Sequence, residues 1–262
     1  MKKFFKIFGV LFILLFQFTS CFNYDNNKVS VYYFYDEPAV VDLTGDYPLI
    51  RNQFDVFYAP GVANDSILKA GDLLWTSFIV DLDNDMKLPS VFSRKYYIAE
   101  NFKYKIVNSA KVIIPESVEE FESLLSDEYT DSVHFSVLYR YAIDSLWFFG
   151  FKHKDSSNQL HYTYELILNP EIEKDGYNSP TLYIRSKQVN EPDVNQAKDE
   201  FGRIVFAFDV ADFVNYYRKE ISPSGLVKFN LKYKRGVNAD GKDIYREFAS
   251  NPITWSFNKA KP

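Results

Sequence analysis

The sequence predicts an all-β protein in which a small barrel or curled sheet is followed by a β-sandwich. Short runs of β-branched and aromatic residues recur along most of the chain, separated by clusters of glycine, proline, asparagine and aspartate. Hydrophobic residues make up 47% of the chain and aromatic residues 18%, which is enough to bury a sizeable core. Helical spacing of apolar residues is confined to two short segments, so we expect one or two short helices.

The N-terminal segment is typical of a lipoprotein precursor. Three lysines open a mainly apolar run, and the small pair Thr19-Ser20 stands directly before Cys21, the single cysteine of the sequence. This order predicts a signal peptide over residues 1–20 and a lipid-modified Cys21. A retained signal anchor is the alternative, but the apolar run is short for a bilayer crossing, which needs about 20 apolar residues.

The first strands follow a short polar segment, 21–27, which we interpret as the tether between the lipid and a folded body. The predicted strands lie at 29–35, 39–43, 54–58, 73–80, 93–99 and 102–107. The first is expected to end at Pro38, and turn residues separate the others. Strands this short and closely spaced favour a small barrel or curled sheet over residues 28–108.

A change of pattern marks the boundary between two β domains. Residues 115–125 place apolar side chains at helical spacing, and Ser117 with Glu120 fits a capping box. We therefore expect a helical linker over residues 109–130. Its acidic residues are interpreted as a solvated helix face, with a functional acidic patch as the alternative.

The C-terminal half returns to strand patterning, and about seven strands in residues 131–262 match a β-sandwich. Segment 227–234 alternates apolar residues and lysines with few exceptions, as expected of a half-buried antiparallel strand. The other strands are predicted near 133–139, 147–151, 162–168, 182–184, 204–208, 245–248 and 254–257. One short helix is expected at 210–217.

The chain resembles the NigD-like lipoproteins of Bacteroidetes-type bacteria. The resemblance rests on the lysine-rich signal that ends in Ser20-Cys21, the strand pair after Gly71-Asp72, and the stretch 226–236 with the turn at 238–241. It implies an N-terminal OB-like domain joined to a C-terminal sandwich, for which we expect an immunoglobulin-like arrangement. It implies no reaction, no catalytic residue and no cofactor.

Charge and composition exclude several classes of function. The net charge is -5, from 30 basic and 35 acidic residues that are interspersed without a basic stripe, so we expect no nucleic-acid partner. No nucleophile motif and no glycine-rich phosphate loop is present, and the single cysteine is assigned to the lipid. We therefore expect a non-catalytic protein without a cofactor.

Two polar groups contain residue types that bind metals. His153 and His161 flank a predicted hairpin loop, and Glu165 shares a strand face with His161, which would give three zinc ligands. The alternating carboxylates of 81–85 suggest a calcium loop, but Met86 stands where the loop needs glycine. An exposed polar pair and a polar turn are the favoured interpretations, so no metal site is predicted.

The aromatic runs 32–35 and 147–151 carry rings on both faces of their strands. One interpretation is that the second face of each strand is covered by the other domain. The alternative is an exposed aromatic platform that stacks on sugars or docks a partner. On that alternative, Trp147, Phe149 and Trp255 are the candidate ligand-binding residues.

These observations predict a lipid-anchored protein of the bacterial envelope, at the outer membrane, that binds or scaffolds a protein partner. A glycan-binding lipoprotein is the alternative, and an envelope hydrolase is less favoured. The tether carries one acid, Asp25, whereas surface-displayed lipoproteins of this type are thought to use an acidic cluster there. This favours the periplasmic face.

Overall fold

The structure is a computed structural model, and the prediction of an all-β fold is confirmed. It describes residues 30–42, 48–63, 67–83, 85–87, 95–126, 133–134, 141–153, 161–171, 179–189, 196–217, 226–247 and 253–256. The predicted signal peptide, the tether and Cys21 lie outside the described residues. The strands form two sheets, with three short helices among the residues described.

The first sheet has seven strands and curls into a half-barrel. Its strands are β1 Val31–Asp42, β2 Leu49–Arg51, β3 Val56–Tyr58, β4 Leu73–Asp81, β5 Asp85–Lys87, β6 Lys95–Ile98 and β7 Glu100–Ile106. They are arranged in the order β5-β6-β3-β2-β1-β4-β7. The concave side encloses a core that includes Ile50, Phe57, Leu74 and Phe78, whose rings and aliphatic side chains are buried.

Strand β1 is one long strand, whereas the sequence predicted two strands separated at Pro38. A β-bulge between Phe34 and Glu37 lets the strand pass this point, with Asp36 at a positive φ of 53°. Aspartate tolerates this left-handed conformation better than most residues. The backbone N–H of Asp36 donates to Ser77 Oγ at 3.2 Å, which gives the bulge a partner on β4.

The second sheet contains ten strands. They are β8 Asn108–Ile113, β9 Val133–His134, β10 Tyr141–Ile143, β11 Leu146–His153, β12 His161–Leu168, β13 Thr181–Val189, β14 Ile204–Asp209, β15 Leu226–Val237, β16 Asp243–Glu247 and β17 Ile253–Ser256. The main order is β10-β11-β14-β8-β12-β13-β15-β16, with β9 paired to β11 and β17 paired to β15.

The second sheet folds over itself into two layers. Rings on β11 meet rings on β12 and β15, although β14 and β8 lie between them in the sheet order. The Phe151 and Tyr164 centroids are 3.9 Å apart, and those of Trp147 and Phe229 are 4.8 Å apart. The sandwich core therefore lies between a β11–β14 layer and a β12–β13–β15 layer.

Strand β8 connects the two layers, and all of it except Asn108 lies in the segment 109–130 that was expected to be a helical linker. Its first part pairs with β14 and its end, Val112–Ile113, pairs with β12, both in parallel. A third parallel pair joins β13 to β15. The alternating patterns predicted β12, β13, β14 and β15 but not β8. They predicted none of these parallel pairs, because face alternation is the same in both orientations.

The helices are α1 Pro60–Ala63, α2 Val118–Ser126 and α3 Ala211–Tyr217. The Ser117 half of the predicted capping box is present at α2, since the Glu120 N–H donates to Ser117 Oγ at 3.2 Å. Glu120 Oε2 accepts from the N–H of Glu116 at 2.7 Å, one residue before the position used in a capping box. Helix α2 lies on the outer side of the β12–β13 layer, where Phe121 contacts Tyr183 edge to face. The predicted helix at 210–217 is also confirmed as α3, whose Phe213 closes one end of the sandwich core.

The two sheets pack against each other through a third apolar cluster. Val40, Leu73 and Trp75 lie on the convex face of the half-barrel and contact Phe148 and Val205 on the outer face of the β11–β14 layer. Arg51 also forms an ion pair with Asp144 across the junction, at 2.7 Å. This contact leaves part of the convex face uncovered, and the candidate site lies there.

Candidate functional site

An exposed row of aromatic side chains lies at the start of β1. Val31, Tyr33 and Tyr35 alternate on the convex face of the half-barrel, and we call these three residues the tyrosine strip. Tyr33 is 58% exposed and Tyr35 is 68% exposed. Their rings are parallel to within 4°, with centroids 6.0 Å apart. Because each ring combines an apolar face with a hydroxyl, such a row is suited to contacting a partner.

The floor beside the strip is formed by β4 and β7. In the antiparallel ladder Val31 lies opposite Asp81 and Tyr33 lies opposite Ile79, so these side chains share the convex face. One strand further, Glu100 of β7 lies opposite Ile79 and Lys103 lies opposite Ser77. The exposed floor therefore carries two tyrosines, aliphatic side chains, a hydroxyl and charges of both signs.

A turn of the second sheet borders the strip. The turn, residues 198–203, is closed by Asp199, whose Oδ1 accepts from the N–H groups of Phe201 and Arg203 at 2.9 and 2.8 Å. Gly202 supplies the positive φ of 71° that the turn needs. We call this segment the junction turn.

The junction turn is attached to the first sheet at the end of the strip. The Glu200 N–H donates to Asp36 Oδ2 at 2.8 Å, and Lys105 Nζ donates to the Lys198 carbonyl oxygen. Asp36 directly follows Tyr35 in the chain, so the turn lies beside the exposed rings. Phe201 at the tip of the turn is 64% exposed, which adds a third accessible ring near the strip.

The junction turn contains a buried ion pair. Arg203 Nε donates to Asp199 Oδ2 at 2.5 Å, and both side chains are shielded from solvent. Burial raises the pKa of Asp199, although the N–H groups of Arg203 and Phe201 oppose that shift. The guanidinium of Arg203 also lies 4.7 Å from the centroid of Phe201. These contacts fix the shape of the turn where it meets the strip.

Glu37 is a half-buried carboxyl directly behind the strip. After the bulge it lies opposite Thr76, on the side of β1 that faces the interior of the half-barrel. Burial, followed by the neighbouring charge of Asp36, raises the pKa of Glu37 to about 7. Its Oε2 is enclosed and has no hydrogen-bond partner among the described residues. The group therefore titrates near neutral pH but points away from the strip.

The residues predicted to bind a ligand occupy different surroundings. Trp147 is 1% exposed and Phe149 is 2% exposed, because both point into the sandwich core from β11. Their ring faces are covered by neighbours such as Phe229 and Phe208, so they serve packing instead of ligand stacking. The backbone of Trp255 lies in β17, opposite Val227 of β15. Its side chain and Cys21 lie outside the part of the chain that can be described.

The histidines weighed as zinc ligands lie on opposite faces. His153 stacks on Tyr162 and its Nε2 lies 2.7 Å from the hydroxyl of Tyr164, inside the sandwich. His161 precedes Tyr162 on β12 and so points to the outer side, together with Glu165, which pairs with Arg185. Within the described residues no group of three or more potential metal ligands converges.

The acidic segment weighed as a calcium loop begins with turn chemistry. The Asp83 N–H donates to Asp81 Oδ1 at 2.9 Å, as in an aspartate-stabilised turn after β4. The segment at 238–241 behaves similarly, since Asn238 Oδ1 accepts from the N–H groups of Asp240 and Lys242. Both groups are explained by local backbone hydrogen bonds.

The junction residues were not recognised from the sequence. The consecutive acids Asp36 and Glu37 stand between an aromatic strand and Pro38, which is a pattern that could have suggested a bulge. Residues 198–203 carry no comparable sequence signal, because their role depends on a contact with Asp36, which lies 164 residues before Glu200 in the chain.

Comparison with solved structures shows the fold. An uncharacterised protein from Parabacteroides merdae is 17% identical, with a TM-score of 0.55, over 85% of this chain and 99% of the other. A protein of unknown function from Bacteroides vulgatus is 14% identical, with a TM-score of 0.47, over 84% and 90% of the two chains. A NigD-like immunity protein from Bacteroides caccae is 10% identical, with a TM-score of 0.47, over 89% and 100%.

One of these neighbours is NigD-like, the family that the sequence resembles. Protein-family models and curated proteins give no match to the chain. At 17% identity and a TM-score of 0.55, the likeness to the Parabacteroides merdae protein extends to the fold alone.

None of the helices in the described ranges combines the length and apolar character needed to cross a bilayer.

Proposed function

We propose that this protein is a non-catalytic binding module of the bacterial envelope, anchored by a lipid on Cys21, that holds a protein partner through the tyrosine strip. The observation that carries the proposal is the exposure of Tyr33 and Tyr35, whose parallel rings stand on the convex face of a well-packed half-barrel. Large exposed aromatic side chains that adjoin one another mark interaction sites on protein surfaces.

The position of the strip supports a partner near the membrane. Strand β1 begins at Val31, ten residues after Cys21. A chain of that length spans at most about 35 Å when fully extended. A lipid on Cys21 would therefore keep the strip close to the bilayer, where an envelope protein is accessible. The outer membrane and its periplasmic face are the location we propose, from the signal and the single acid of the tether.

The non-catalytic assignment rests on what surrounds the strip. Glu37 is the nearby carboxyl with a pKa raised towards neutrality, a property that active-site acids share. It faces the half-barrel interior, on the opposite side of β1 from the two tyrosines. Among the described residues, the carboxyl whose pKa is raised to about 7 therefore faces away from the strip, and the strip itself offers contacts suited to binding. A hydrolase remains a less favoured alternative.

The test is crosslinking and pull-down from intact cells, comparing the wild type with a Tyr33→Thr/Tyr35→Thr variant and a Cys21→Ser variant. We expect a specific envelope protein to co-purify with the wild type and to be lost with either variant. Tyr216→Thr is the matched control, because Tyr216 is an exposed tyrosine on α3, away from β1. A partner retained by the double tyrosine variant but lost with Tyr216→Thr would refute the assignment to the strip.

A glycan is the second candidate, and the floor of the strip favours it. Parallel rings can stack on the apolar faces of sugars, while Ser77, Asp81 and Lys103 on the same sheet face can bond hydroxyl groups. A glycan array probed with the purified protein tests this directly. Binding that is lost in the Tyr33→Thr/Tyr35→Thr variant would replace the protein partner with a glycan.

A further inference from the structure

We propose that the tyrosine strip recognises lysine and arginine side chains on an extended segment of its partner. This inference rests on the proposed function, because it assigns a chemical class to the partner of the same surface. It is carried by the combination of accessible aromatic faces and surrounding carboxylates on the convex face of the half-barrel.

The rings provide the first half of the recognition. The face of a tyrosine ring carries negative electrostatic potential and attracts an ammonium or guanidinium group placed over it. Tyr33 and Tyr35 are each more than half exposed and are spaced two residues apart on one strand. Alternate side chains of an extended partner segment have the same period, so two successive cations could face the two rings.

The carboxylates provide the second half. Asp81 lies opposite Val31, and Glu100 lies one strand beyond Ile79 on the same face. At the other end Asp36 and Glu200 adjoin Tyr35 through their hydrogen bond. Among the described residues, four acids stand against two lysines on this face: Lys103 on the open floor, and Lys105, which lies opposite Trp75 and donates to the junction turn. The surface around the rings therefore has an excess of negative charge, which complements a basic segment.

The same chemistry occurs within the protein. Arg203 places its guanidinium 4.7 Å from the centroid of Phe201, beside the strip. Lys232 places its ammonium 5.7 Å from the centroid of Tyr183 on the second sheet. Both distances lie within the range in which a cation is attracted to a ring face. Basic side chains thus lie on both an exposed ring, Phe201, and a buried ring, Tyr183, of this fold.

The surface is also continuous with an interface that already exists. Pro38 and Val40 continue the face of the strip beyond the bulge, opposite Trp75 and Leu73 of β4. The second sheet covers this part of the same face. A partner on the strip would extend the covered area along the sheet, bounded by the junction turn on one side. This gives the segment a defined edge to dock against.

The test measures binding of a fluorescent peptide in which arginine and lysine alternate with serine, using the full-length mature lipoprotein in detergent. The control peptide carries glutamate in place of each basic residue. We expect the basic peptide to bind, the acidic peptide not to bind, and the affinity to fall as salt screens the carboxylates. Tyr33→Leu and Tyr35→Leu should each weaken binding by about threefold, whereas Tyr→Phe at either position should preserve it, because the ring face is kept.

Charge substitutions separate this chemistry from apolar docking. Asp81→Asn and Glu100→Gln should weaken binding of the basic peptide, and Lys103→Glu should strengthen it. Equal affinity of the leucine and phenylalanine variants, or no effect of the charge substitutions, would overturn the inference. If a protein partner is still captured in cells through the strip, the proposed function survives that result. If a glycan binds the strip instead, both proposals fail.

Discussion

The two aromatic runs of this chain have similar sequences and opposite surroundings. Run 147–151 lies on β11, where Trp147, Phe149 and Phe151 face the sandwich core and Phe148 faces the first sheet. Run 32–35 lies on β1, where Phe34 packs into the half-barrel core while Tyr33 and Tyr35 stay exposed. The idea that the second domain covers the other face is therefore correct for Phe148 and fails for the tyrosines.

The difference follows from where the second sheet ends along the first. Its apolar contact covers Val40 and Trp75, and the junction turn is attached one residue beyond Tyr35. The part of β1 before the bulge projects past this boundary. Tyrosine tolerates such a position because its hydroxyl stays hydrated, whereas tryptophan and phenylalanine dominate the enclosed run. Composition thus indicates which run can be exposed, but the neighbouring sheet decides it.

The largest expected effect is truncation within the enclosed run. Trp147→Ala and Phe148→Ala should each lower the free energy of unfolding by about 3–5 kcal/mol, because each leaves a cavity in a packed cluster. The two substitutions affect different clusters, the sandwich core and the contact between the sheets. Urea unfolding followed by tryptophan fluorescence for Phe148→Ala, and by circular dichroism for both, measures the losses.

If Phe148→Ala lowered the free energy of unfolding by less than about 1 kcal/mol, Phe148 would behave like a surface residue and not like part of an enclosed run. That result would mean that the contact between the sheets is weak in solution. For Trp147→Ala, the matched control is Trp147→Phe, because it keeps an aromatic ring in the sandwich core.

The junction turn marks the boundary on β1 between the part that the second sheet covers and the exposed strip. A substitution at Arg203 tests how much the buried ion pair in this turn stabilises the protein. Arg203→Met removes one member of a buried ion pair and leaves the Asp199 carboxylate enclosed. We expect a loss of about 3 kcal/mol, because an unpaired buried charge is strongly destabilising. Thermal and urea unfolding measure it.

The double variant Asp199→Asn/Arg203→Met supplies the control for the ion pair, because the asparagine Oδ1 can still accept from the N–H groups of Phe201 and Arg203. It should be more stable than Arg203→Met alone, because the stranded charge is gone. A double variant that loses the sum of both single effects would show that the pair contributes through packing and not through charge.

The fold and the site differ in how far the sequence predicts them. Strands such as β4 and β15 were predicted within a few residues, because alternation of apolar and polar side chains depends on local sequence. The Ser117 half of the capping box was predicted for the same reason. The passage of β1 through Asp36 was not, since Pro38 suggested an end and the bulge is stabilised by Ser77 on another strand.

The site is less predictable because exposure is a property of the assembled sheets. Trp147 and Tyr35 both satisfy the composition of an aromatic binding surface, and the sequence favoured the tryptophan. Trp147 is 1% exposed because the two layers of the second sheet enclose it, whereas Tyr35 is 68% exposed because the second sheet covers only the part of β1 beyond the bulge. Two of the carboxylates around the strip, Asp81 and Glu100, come from β4 and β7, and their approach to the rings requires the register of the ladders.

Glu37 should make the stability of the protein depend on pH, because its carboxyl is half-buried on the enclosed side of β1, behind the exposed tyrosines. Its pKa in the folded protein is about 7, above the ordinary value of 4.5. The protonated Glu37 carboxyl favours the folded state. Its contribution to the free energy of unfolding is fully present below pH 4.5 and is lost as the pH rises through 7. Glu37→Gln should remove this dependence and be more stable than the wild type at pH 8, by on the order of 1 kcal/mol after solvent screening.

Unfolding of the wild type and Glu37→Gln from pH 4 to pH 8 measures this effect. The two curves should diverge with rising pH. Parallel curves would mean that the carboxyl is hydrated in the folded protein, and that the interior of the half-barrel is open beside the strip.

The smallest expected effect on stability is at the tyrosine strip. It is the most direct test of the difference between the exposed and the enclosed aromatic run. Tyr33→Thr and Tyr35→Thr should each change the free energy of unfolding by less than about 0.5 kcal/mol, because the rings are exposed and threonine keeps a high strand propensity. The double variant should lose its partner while its urea midpoint stays near the wild-type value. A stability loss comparable with that of Phe148→Ala would mean that the rings are covered in solution, so they would belong with the enclosed run. A surface that is neutral for folding but required for binding is expected when exposed aromatic residues serve a partner and not the fold.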